Sequence, residues 1–145
     1  IIEKKNFKSK DLFEEAICKI LADNKIDMVC LAGFMCIVGK NILETYPNKI
    51  INIHPSLLPS FPGADAQKQA FEFGSKVTGC TVHFVDEKVD HGPIICQSTV
   101  EVKEDDTIEL LKERILKEEH RIYPEAIQLI AEKKIKIEGR RVKIL

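Results

Sequence analysis

Two short and mostly apolar segments constrain the fold of this chain more than any other feature. They cover residues 26–32 and 49–53, and each one follows a stretch with helical spacing. Ser9 is a suitable N-cap for the first helix, and residues 39–46 suit a second, shorter helix. Strands that are apolar on both faces and alternate with helices are typical of a mostly parallel sheet flanked by helices. The sequence therefore predicts an α/β fold.

The second half of the chain predicts further elements of the same domain. Residues 65–73 suit a helix that ends at Gly74, and strands are predicted at residues 80–85 and 94–102. Because so few residues separate these two strands, we expect them to be antiparallel neighbours. A capping-box pattern at residues 106–109 begins a long helix that reaches about residue 133, with a bend at Pro124. Residues 135–144 suit a hairpin, so we expect one domain over residues 1–145.

The charge balance narrows the classes of partner. The 145 residues include 22 Lys and Arg against 23 Asp and Glu, which gives a formal net charge of -1. A broad surface for nucleic acid or for a membrane needs a clear excess of basic residues. The balance argues against both surfaces, but it leaves room for a small phosphorylated ligand, which needs only a few local donors.

The cysteines and the first residues bear on the cellular compartment. Five cysteines are an odd number, and no two have Cys-x-x-Cys spacing, so we expect buried, reduced thiols of a cytoplasmic protein and no structural zinc. The chain starts at Ile1 without a Met, and it shows neither a signal peptide nor an apolar run long enough for a bilayer. We therefore expect a fragment that lacks its N-terminal portion.

Candidate reactive side chains follow the second predicted strand. Asn52 and His54 are two residues apart, so they share one face while Ile53 points to the core. Ligands of open parallel sheets bind beyond the carboxyl ends of the strands. The pair is therefore a candidate amide donor and general acid, with the alternative that both side chains merely cap loop carbonyls.

Other polar residues have two interpretations each. Asp90 is a candidate carboxylate partner for His54, or else a turn-capping residue. His83 is either a packed supporting histidine or a reacting one. Glu119 falls in the apolar stripe of the last helix, where a carboxylate needs an ion pair or a bound ligand. A metal site made by these histidines, His91 and Asp90 is a further alternative.

Four segments of the chain, residues 30–38, 51–63, 79–95 and 118–127, resemble the phosphoribosylglycinamide formyltransferases, a folate-dependent family of purine synthesis. The resemblance extends from about Phe7 to Ile137, and its most specific parts are residues 52–59 and 90–93. It implies a Rossmann-like formyltransferase fold. It also implies transfer of a formyl group from 10-formyltetrahydrofolate to the amine of glycinamide ribonucleotide, without a metal.

The resemblance assigns roles to the candidate residues. Asn52, His54 and Asp90 match the catalytic set of the family. The Asn52 amide and the protonated His54 would stabilise the oxyanion of a tetrahedral intermediate, and Asp90 would favour the imidazolium. The implied folate site comprises Lys10, Met35, Cys36, Ile37, Val38, Asn52, Asp86, Glu87, Lys88, Val89 and Asp90. The implied ribonucleotide site comprises Met35, Pro55, Leu116, Lys117, Glu118 and Glu119.

Within that second site, the resemblance implies that Glu119 binds the ribose hydroxyls.

The chain also departs from the family pattern: Cys36 stands where many members have Arg, and Asp65 and Gln67 replace residues that are often His. The family begins with a strand and a Gly-rich phosphate-binding loop, which this chain lacks. The alternatives are a 10-formyltetrahydrofolate hydrolase and a noncatalytic folate-binding remnant. A methionyl-tRNA formyltransferase would need a basic extension. We expect only small-molecule partners and a monomer or weak homodimer.

Overall fold

Helices flank a mixed six-stranded sheet in the computed structural model, which describes residues 2–34 and 36–145. The helices are α1 Lys10–Asp23, α2 Lys40–Thr45, α3 Ala66–Phe73 and α4 Ile108–Ala131, with a 3-10 helix at Lys4–Asn6. The strands are β1 Val29–Leu31, β2 Ile50–His54, β3 Val77–Phe84, β4 Ile94–Glu101, β5 Ile135–Glu138 and β6 Arg141–Ile144. This architecture confirms the predicted α/β fold. Within the described ranges, no helix has the length and apolar character needed to cross a membrane.

The strands lie in the order β1-β2-β3-β4-β6-β5. The pairs β1–β2 and β4–β6 are parallel, whereas β2–β3, β3–β4 and β5–β6 are antiparallel. Strands β1, β2, β4 and β6 therefore run in one direction, and β3 and β5 run in the other. The predicted antiparallel neighbours are confirmed as β3 and β4, and the predicted tail hairpin is confirmed as β5 and β6. The antiparallel β2–β3 pairing was not predicted, and it builds much of the site.

Local capping explains where the helices begin and end. The Ser9 hydroxyl accepts a hydrogen bond from Leu12 N at 3.2 Å, and the Thr107 hydroxyl accepts one from Leu110 N at 3.3 Å. Each bond satisfies one backbone N–H that the first helical turn leaves without a partner. Helix α3 ends at Gly74, whose φ of 80° favours glycine. These boundaries confirm the predicted helices.

Strand β2 buries both of its faces, as the apolar pattern predicted. Ile51 and Ile53 belong to the cluster beneath α4, where Leu111 and Ile115 are fully buried. Ile50 belongs to a second cluster beneath α1 and α2. Burying one such side chain stabilises the fold by about 1.5–3 kcal/mol. The strand is therefore a rigid support for the polar side chains at its carboxyl end.

The first predicted strand is less buried than expected. Residues 26–32 were predicted as a fully buried strand, but β1 covers only Val29–Leu31, and Cys30 is exposed. The physical reason is the position of β1 at the edge of the sheet, where β2 is its only strand neighbour in the described part of the chain.

All five cysteines lie among the described residues, and all are free thiols. Cys80 is buried, and burial raises its pKa to about 12. Burial also raises the pKa of Cys96 to about 11. Both thiols are therefore uncharged near neutral pH and unreactive. Cys30 and Cys36 are exposed, so the expectation of buried thiols is wrong for these two.

Candidate active site

A cavity of about 880 Å³ opens beside the carboxyl ends of β1 and β2. Its wall includes the segment after β1, the end of β2, the loop after β3 and one face of α4. This is the position at which open α/β sheets bind their ligands. Because its size suits a drug-sized or nucleotide-sized molecule, the cavity is the main candidate site of the chain.

Asn52 and His54 both line this cavity, as the strand alternation predicted. The antiparallel register places His83 of β3 opposite Asn52 and Thr81 opposite His54. Neighbouring strands thus surround each candidate side chain with polar partners that the sequence could not assign to it. His54 is only 5% exposed, so its ring contacts these partners rather than bulk water.

Both ring nitrogens of His54 have a partner. Nε2 lies 2.9 Å from the carbonyl oxygen of Phe61, and Nδ1 lies 3.3 Å from Oδ2 of Asp90. A carbonyl oxygen can only accept a hydrogen bond, so Nε2 donates its proton to Phe61. The remaining nitrogen, Nδ1, faces the carboxylate. A protonated Nδ1 in this arrangement would form an ion pair with Asp90.

Asp90 reaches His54 because the loop after β3 turns sharply back. Asp90 has a φ of 48°, in the left-handed region, and its Oδ2 accepts a hydrogen bond from Gly63 N at 2.8 Å. Gly92 packs so closely on the carbonyl of Phe84 that a Cβ at this position would lie 1.8 Å from the carbonyl oxygen. The predicted turn therefore requires glycine at this position, and it directs the Asp90 carboxylate towards the end of β2.

The same loop is held on its outer side by a second set of contacts. His91 Nδ1 donates to Oδ2 of Asp86 at 2.8 Å, and Arg140 from the β5–β6 turn donates to the carbonyl of His91 at 2.6 Å. Asp86 also accepts from Lys88 N at 3.0 Å. These bonds fix the backbone on either side of Asp90, although their exposure makes each of them weak.

His83 is a supporting residue rather than a reacting one in this geometry. It is 2% exposed, and burial lowers its pKa below the usual range, so the neutral form prevails. Nδ1 donates to the carbonyl of Phe84 at 2.8 Å, which leaves Nε2 as an acceptor. Nε2 lies 3.4 Å from Nδ2 of Asn52. A neutral His83 therefore orients the Asn52 amide group with its nitrogen towards β3.

Glu119 lies on the cavity wall without a strong ion-pair partner among the described residues. Burial raises the pKa of its carboxyl above the usual range, and only the nearby His120 opposes this effect. A carboxylate in this situation is stabilised by donors from a ligand. The geometry thus agrees with the ligand-binding interpretation of Glu119 better than with a structural ion pair.

The structure brings most of the predicted folate residues together on the cavity wall. These are residues 36–38, Asn52, Asp86 and residues 88–90. Met35, predicted for both substrates, lies outside the described residues. Lys10 and Glu87 lie away from the wall. The Lys10 ammonium is instead 3.4 Å from Oε1 of Glu14, a buried carboxylate on the next turn of α1.

The predicted ribonucleotide residues divide between two faces of α4. Pro55, Leu116 and Glu119 line the cavity, whereas Lys117 and Glu118 line a separate groove on the far side of the helix. Four consecutive helical residues cannot share one face, because each is rotated by about 100° from the previous one. Glu118 is held in its own position by the hydroxyl of Ser98 at 2.5 Å. In this structure only Leu116 and Glu119 of the predicted run line the cavity, and a contact of Lys117 and Glu118 with a ribonucleotide stays a prediction.

Several residues of the site were not predicted. The carbonyl of Phe61 and the N–H of Gly63 contact His54 and Asp90 through the backbone, which no residue type signals. His120 and Tyr123 also line the cavity, and their helical spacing from Leu116 and Glu119 could have identified them. Asp65 and Gln67, noted as departures from the family, lie on the wall as well.

A metal site would need several ligand side chains that converge on one point. Among residues 2–34 and 36–145, no group of three or more His, Cys, Asp or Glu side chains is arranged to hold a metal ion. His54 and Asp90 face each other, and His91 is directed towards Asp86 and Arg140. The four residues of the metal alternative therefore do not converge on one point.

The chain is similar to proteins of known activity. A family model described as formyl transferase matches residues 1–127. The phosphoribosylglycinamide formyltransferase of Bacillus subtilis is 50% identical over 126 residues, which are 87% of this chain and 65% of that protein. The structure of glycinamide ribonucleotide transformylase 1 from Symbiobacterium toebii is 56% identical with a TM-score of 0.96, covering 99% of this chain and 68% of that one.

A formyltetrahydrofolate deformylase from Pseudomonas syringae is a more distant structural neighbour. It is 30% identical with a TM-score of 0.89, covering 95% of this chain and 46% of that one. The chain thus spans about two thirds of the length of the B. subtilis relative and less than half of the deformylase. The similarity covers the site residues from β2 to α4 in both cases.

Proposed function

The chain belongs to the formyl transferase family, and from this premise we propose that its protein transfers a formyl group from 10-formyltetrahydrofolate to the amine of glycinamide ribonucleotide, a step of de novo purine biosynthesis. The observation that best supports this function is the convergence of Asn52, His54 and Asp90 at one cavity. An amide donor, an imidazole and a carboxylate are the groups that acyl transfer to an amine requires.

The reaction makes one C–N bond and breaks another. The substrate amine attacks the formyl carbon, and the resulting tetrahedral intermediate has a negative oxygen. The Asn52 amide donates to this oxyanion, and the positive charge of protonated His54 stabilises it further. The attacking nitrogen must lose a proton and the departing folate nitrogen must gain one. His54 and Asp90, with water as a relay, carry a proton from the attacking amine to the departing folate nitrogen. They can act together because Nδ1 and the carboxylate are only 3.3 Å apart.

The two substrates would occupy different parts of the cavity. The formyl and pterin end of the folate lies against residues 36–38, Asp86 and residues 88–90, and the ribonucleotide lies against Pro55, Leu116 and Glu119. Glu119 binds the ribose hydroxyls, which supply the donors that its buried carboxyl lacks. The reaction needs no metal. The protein acts in the cytoplasm on small molecules, as a monomer or weak homodimer.

A hydrolase that releases formate from the same folate is the second candidate function. The similarity to a formyltetrahydrofolate deformylase supports it, since the same Asn, His and Asp could activate a water molecule. Glu119 favours the transferase, because hydrolysis involves no ribonucleotide whose ribose hydroxyls this carboxylate could bind.

One assay separates the two candidates. The whole protein that contains this chain is incubated with 10-formyltetrahydrofolate, with and without glycinamide ribonucleotide, and both formylated nucleotide and formate are measured. We expect formylated nucleotide only when the ribonucleotide is present, and little formate. Formate release at the same rate in both samples would identify a hydrolase. The absence of both products would indicate a noncatalytic protein.

Replacing Asp90 by Asn should slow formyl transfer. Asn tolerates the left-handed backbone of this position and keeps the size of the side chain, so the loop should persist. The variant has no negative charge opposite Nδ1 of His54, so kcat should fall roughly 10²-fold, the low end of the range for a positioned acid or base. The measurement is kcat for the parent and the variant under the same conditions.

A charge control accompanies this comparison. Glu104 is an exposed acid in the turn before α4, outside the cavity, and Glu104→Gln removes the same charge from the protein. Its kcat should match that of the parent. A kcat of Asp90→Asn that also matches the parent would contradict the role given to the Asp90 carboxylate.

Replacing Glu119 by Gln should weaken ribonucleotide binding and stabilise the fold. Loss of a charged acceptor should raise KM for the ribonucleotide roughly tenfold, with little change in KM for the folate. Because burial raises the pKa of this carboxyl, the folded protein binds the proton more tightly than the unfolded chain, and stability is lost as pH rises through that pKa. Glu119→Gln has no carboxyl to ionise at this position, so it does not lose this stability as pH rises.

Urea unfolding at two pH values checks the second effect. The gain in unfolding free energy of Glu119→Gln over the parent should be larger at pH 8 than at pH 5. An equal gain at both values would show that charge on Glu119 is not the cause. An unchanged KM for the ribonucleotide would remove Glu119 from the binding site.

A further inference from the structure

A group of buried hydrogen bonds ties the loop after β2 to β3 and β4. Thr81 is fully buried, and its hydroxyl donates to the carbonyl of Ser56 at 2.7 Å. The same oxygen accepts from Leu58 N at 3.1 Å and from Gln97 Nε2 at 2.9 Å. A hydroxyl has one donor and two acceptor positions, so the hydrogen-bonding capacity of Thr81 is fully used. Gln97 Nε2 also donates to the carbonyl of Leu58 at 2.9 Å.

The loop is closed on itself by a second buried hydroxyl. Ser56 is fully buried, and its Oγ donates to the carbonyl of Ser60 at 2.6 Å and lies 3.3 Å from the carbonyl oxygen of Phe61. We call the side chains of Ser56, Thr81 and Gln97 the hydroxyl–amide clamp. Thr81 and Gln97 fix residues 56–58 against the sheet, and the Ser56 hydroxyl ties residues 60 and 61 to that end of the loop.

The clamp ends at the reactive imidazole. Ser56 binds the carbonyl of Ser60, and the next carbonyl along the chain, that of Phe61, accepts from His54 Nε2 at 2.9 Å. Phe61 has a φ of 52°, a conformation that residues other than glycine adopt only where their surroundings enforce it. The clamp supplies this enforcement, because it fixes the preceding residues. Thr81 also faces His54 directly across the β2–β3 pairing.

We propose that Thr81 is a positioning residue, whose hydroxyl, through the clamp, holds the Phe61 carbonyl on Nε2 of His54 and so fixes the tautomer of the catalytic imidazole. With Nε2 committed to a carbonyl, neutral His54 has its proton on Nε2, and proton exchange occurs at Nδ1, beside Asp90. The expected effect on kcat rests on the proposed formyl transfer. The expected tautomer of His54 does not depend on which reaction the protein catalyses.

Two substitutions at Thr81 form a matched pair. Thr81→Val keeps the shape of the side chain and removes the hydroxyl, and Thr81→Ser keeps the hydroxyl. In Thr81→Val, two loop groups (the Ser56 carbonyl and the Leu58 N–H) and the Gln97 amide lose their hydrogen bonds to the hydroxyl, which loosens the loop that holds the Phe61 carbonyl. We expect kcat for formyl transfer to fall roughly 10- to 100-fold, the usual effect of a misplaced supporting group, with KM values for both substrates nearly unchanged. Thr81→Ser should restore kcat.

A spectroscopic measurement tests the clamp without any turnover. In ¹⁵N-histidine-labelled protein above pH 8, the ring nitrogen shifts of His54 report which nitrogen has the proton. We expect the Nε2–H tautomer alone in the parent and in Thr81→Ser, and a mixture of both tautomers in Thr81→Val. A single Nε2–H tautomer with parental kcat in Thr81→Val would overturn the proposal.

The same data separate this proposal from the proposed function. If the tautomer mixes in Thr81→Val but the parent forms no formylated nucleotide, the clamp stands and the assigned reaction is wrong. Should Thr81→Val fail to fold, Gln97→Ala decides, because Gln97 is exposed and its loss removes only two bonds of the clamp. A smaller tautomer change and kcat loss in Gln97→Ala would support the proposal, and parental behaviour would overturn it.

Discussion

Replacing His54 by Gln should lower kcat for formyl transfer roughly 10²- to 10⁴-fold, the range that a positioned acid or base contributes. Glutamine fits this 5% exposed position, and its amide nitrogen can still donate to the Phe61 carbonyl that now holds Nε2. The loop contact therefore survives, while the titrating nitrogen opposite Asp90 is removed. The fall in kcat therefore reports the loss of proton transfer and of the imidazolium charge, and not a collapse of the loop.

Steady-state kinetics and folate binding together check this result. The KM values should change little, because the folate wall at residues 36–38, Asp86 and residues 88–90 is untouched. The Glu104→Gln protein serves again as the control for handling and purity. A variant within tenfold of the parent in kcat would exclude His54 as the proton donor.

Local structure followed from the sequence where short-range chemistry decides it. The hydroxyls of Ser9 and Thr107 cap the predicted helices, and the positive φ of Gly74 ends α3 at the predicted residue. These features depend on residues within one or two turns of each other. The antiparallel β2–β3 pairing depends instead on segments about thirty residues apart, and no local pattern in either strand specifies its partner.

The site shows the same division. Strand alternation was enough to place Asn52 and His54 on one cavity wall. The partners of these two side chains come from tertiary structure: His83 from the register of β3, and Phe61 and Gly63 through backbone groups. A main-chain carbonyl leaves no trace in residue type, so a sequence motif cannot reveal it.

Helix geometry explains why only part of the predicted ribonucleotide site lines the cavity. A consecutive run from Leu116 to Glu119 was predicted to face the ribonucleotide, but only its first and last members line the cavity. Residues three and four apart share a helix face, whereas those between them point elsewhere. Lys10 differs in another way, since the buried Glu14 on the same helix holds its ammonium group. Neither outcome requires a change in the assigned catalytic set.

Replacing Asn52 by Ala should reduce kcat about 10²- to 10³-fold, the measured effect of losing one oxyanion donor in other enzymes. The amide is well suited to this task because buried, neutral His83 accepts from its nitrogen and so fixes which end of the amide faces which way. An amide held in this way needs no reorganisation when the oxyanion forms. Substrate KM values should stay close to those of the parent, since the donor acts on a charge that only the intermediate has.

A matched variant separates the donor from the volume that it occupies. Asn52→Asp has nearly the same shape but offers no N–H, and its negative charge would repel the oxyanion, so its kcat should be at least as low as that of Asn52→Ala. If loss of packing were the cause, the aspartate would instead retain most of the activity. That outcome would remove Asn52 from the transition state and leave the imidazolium of His54 as the only group that stabilises the developing charge.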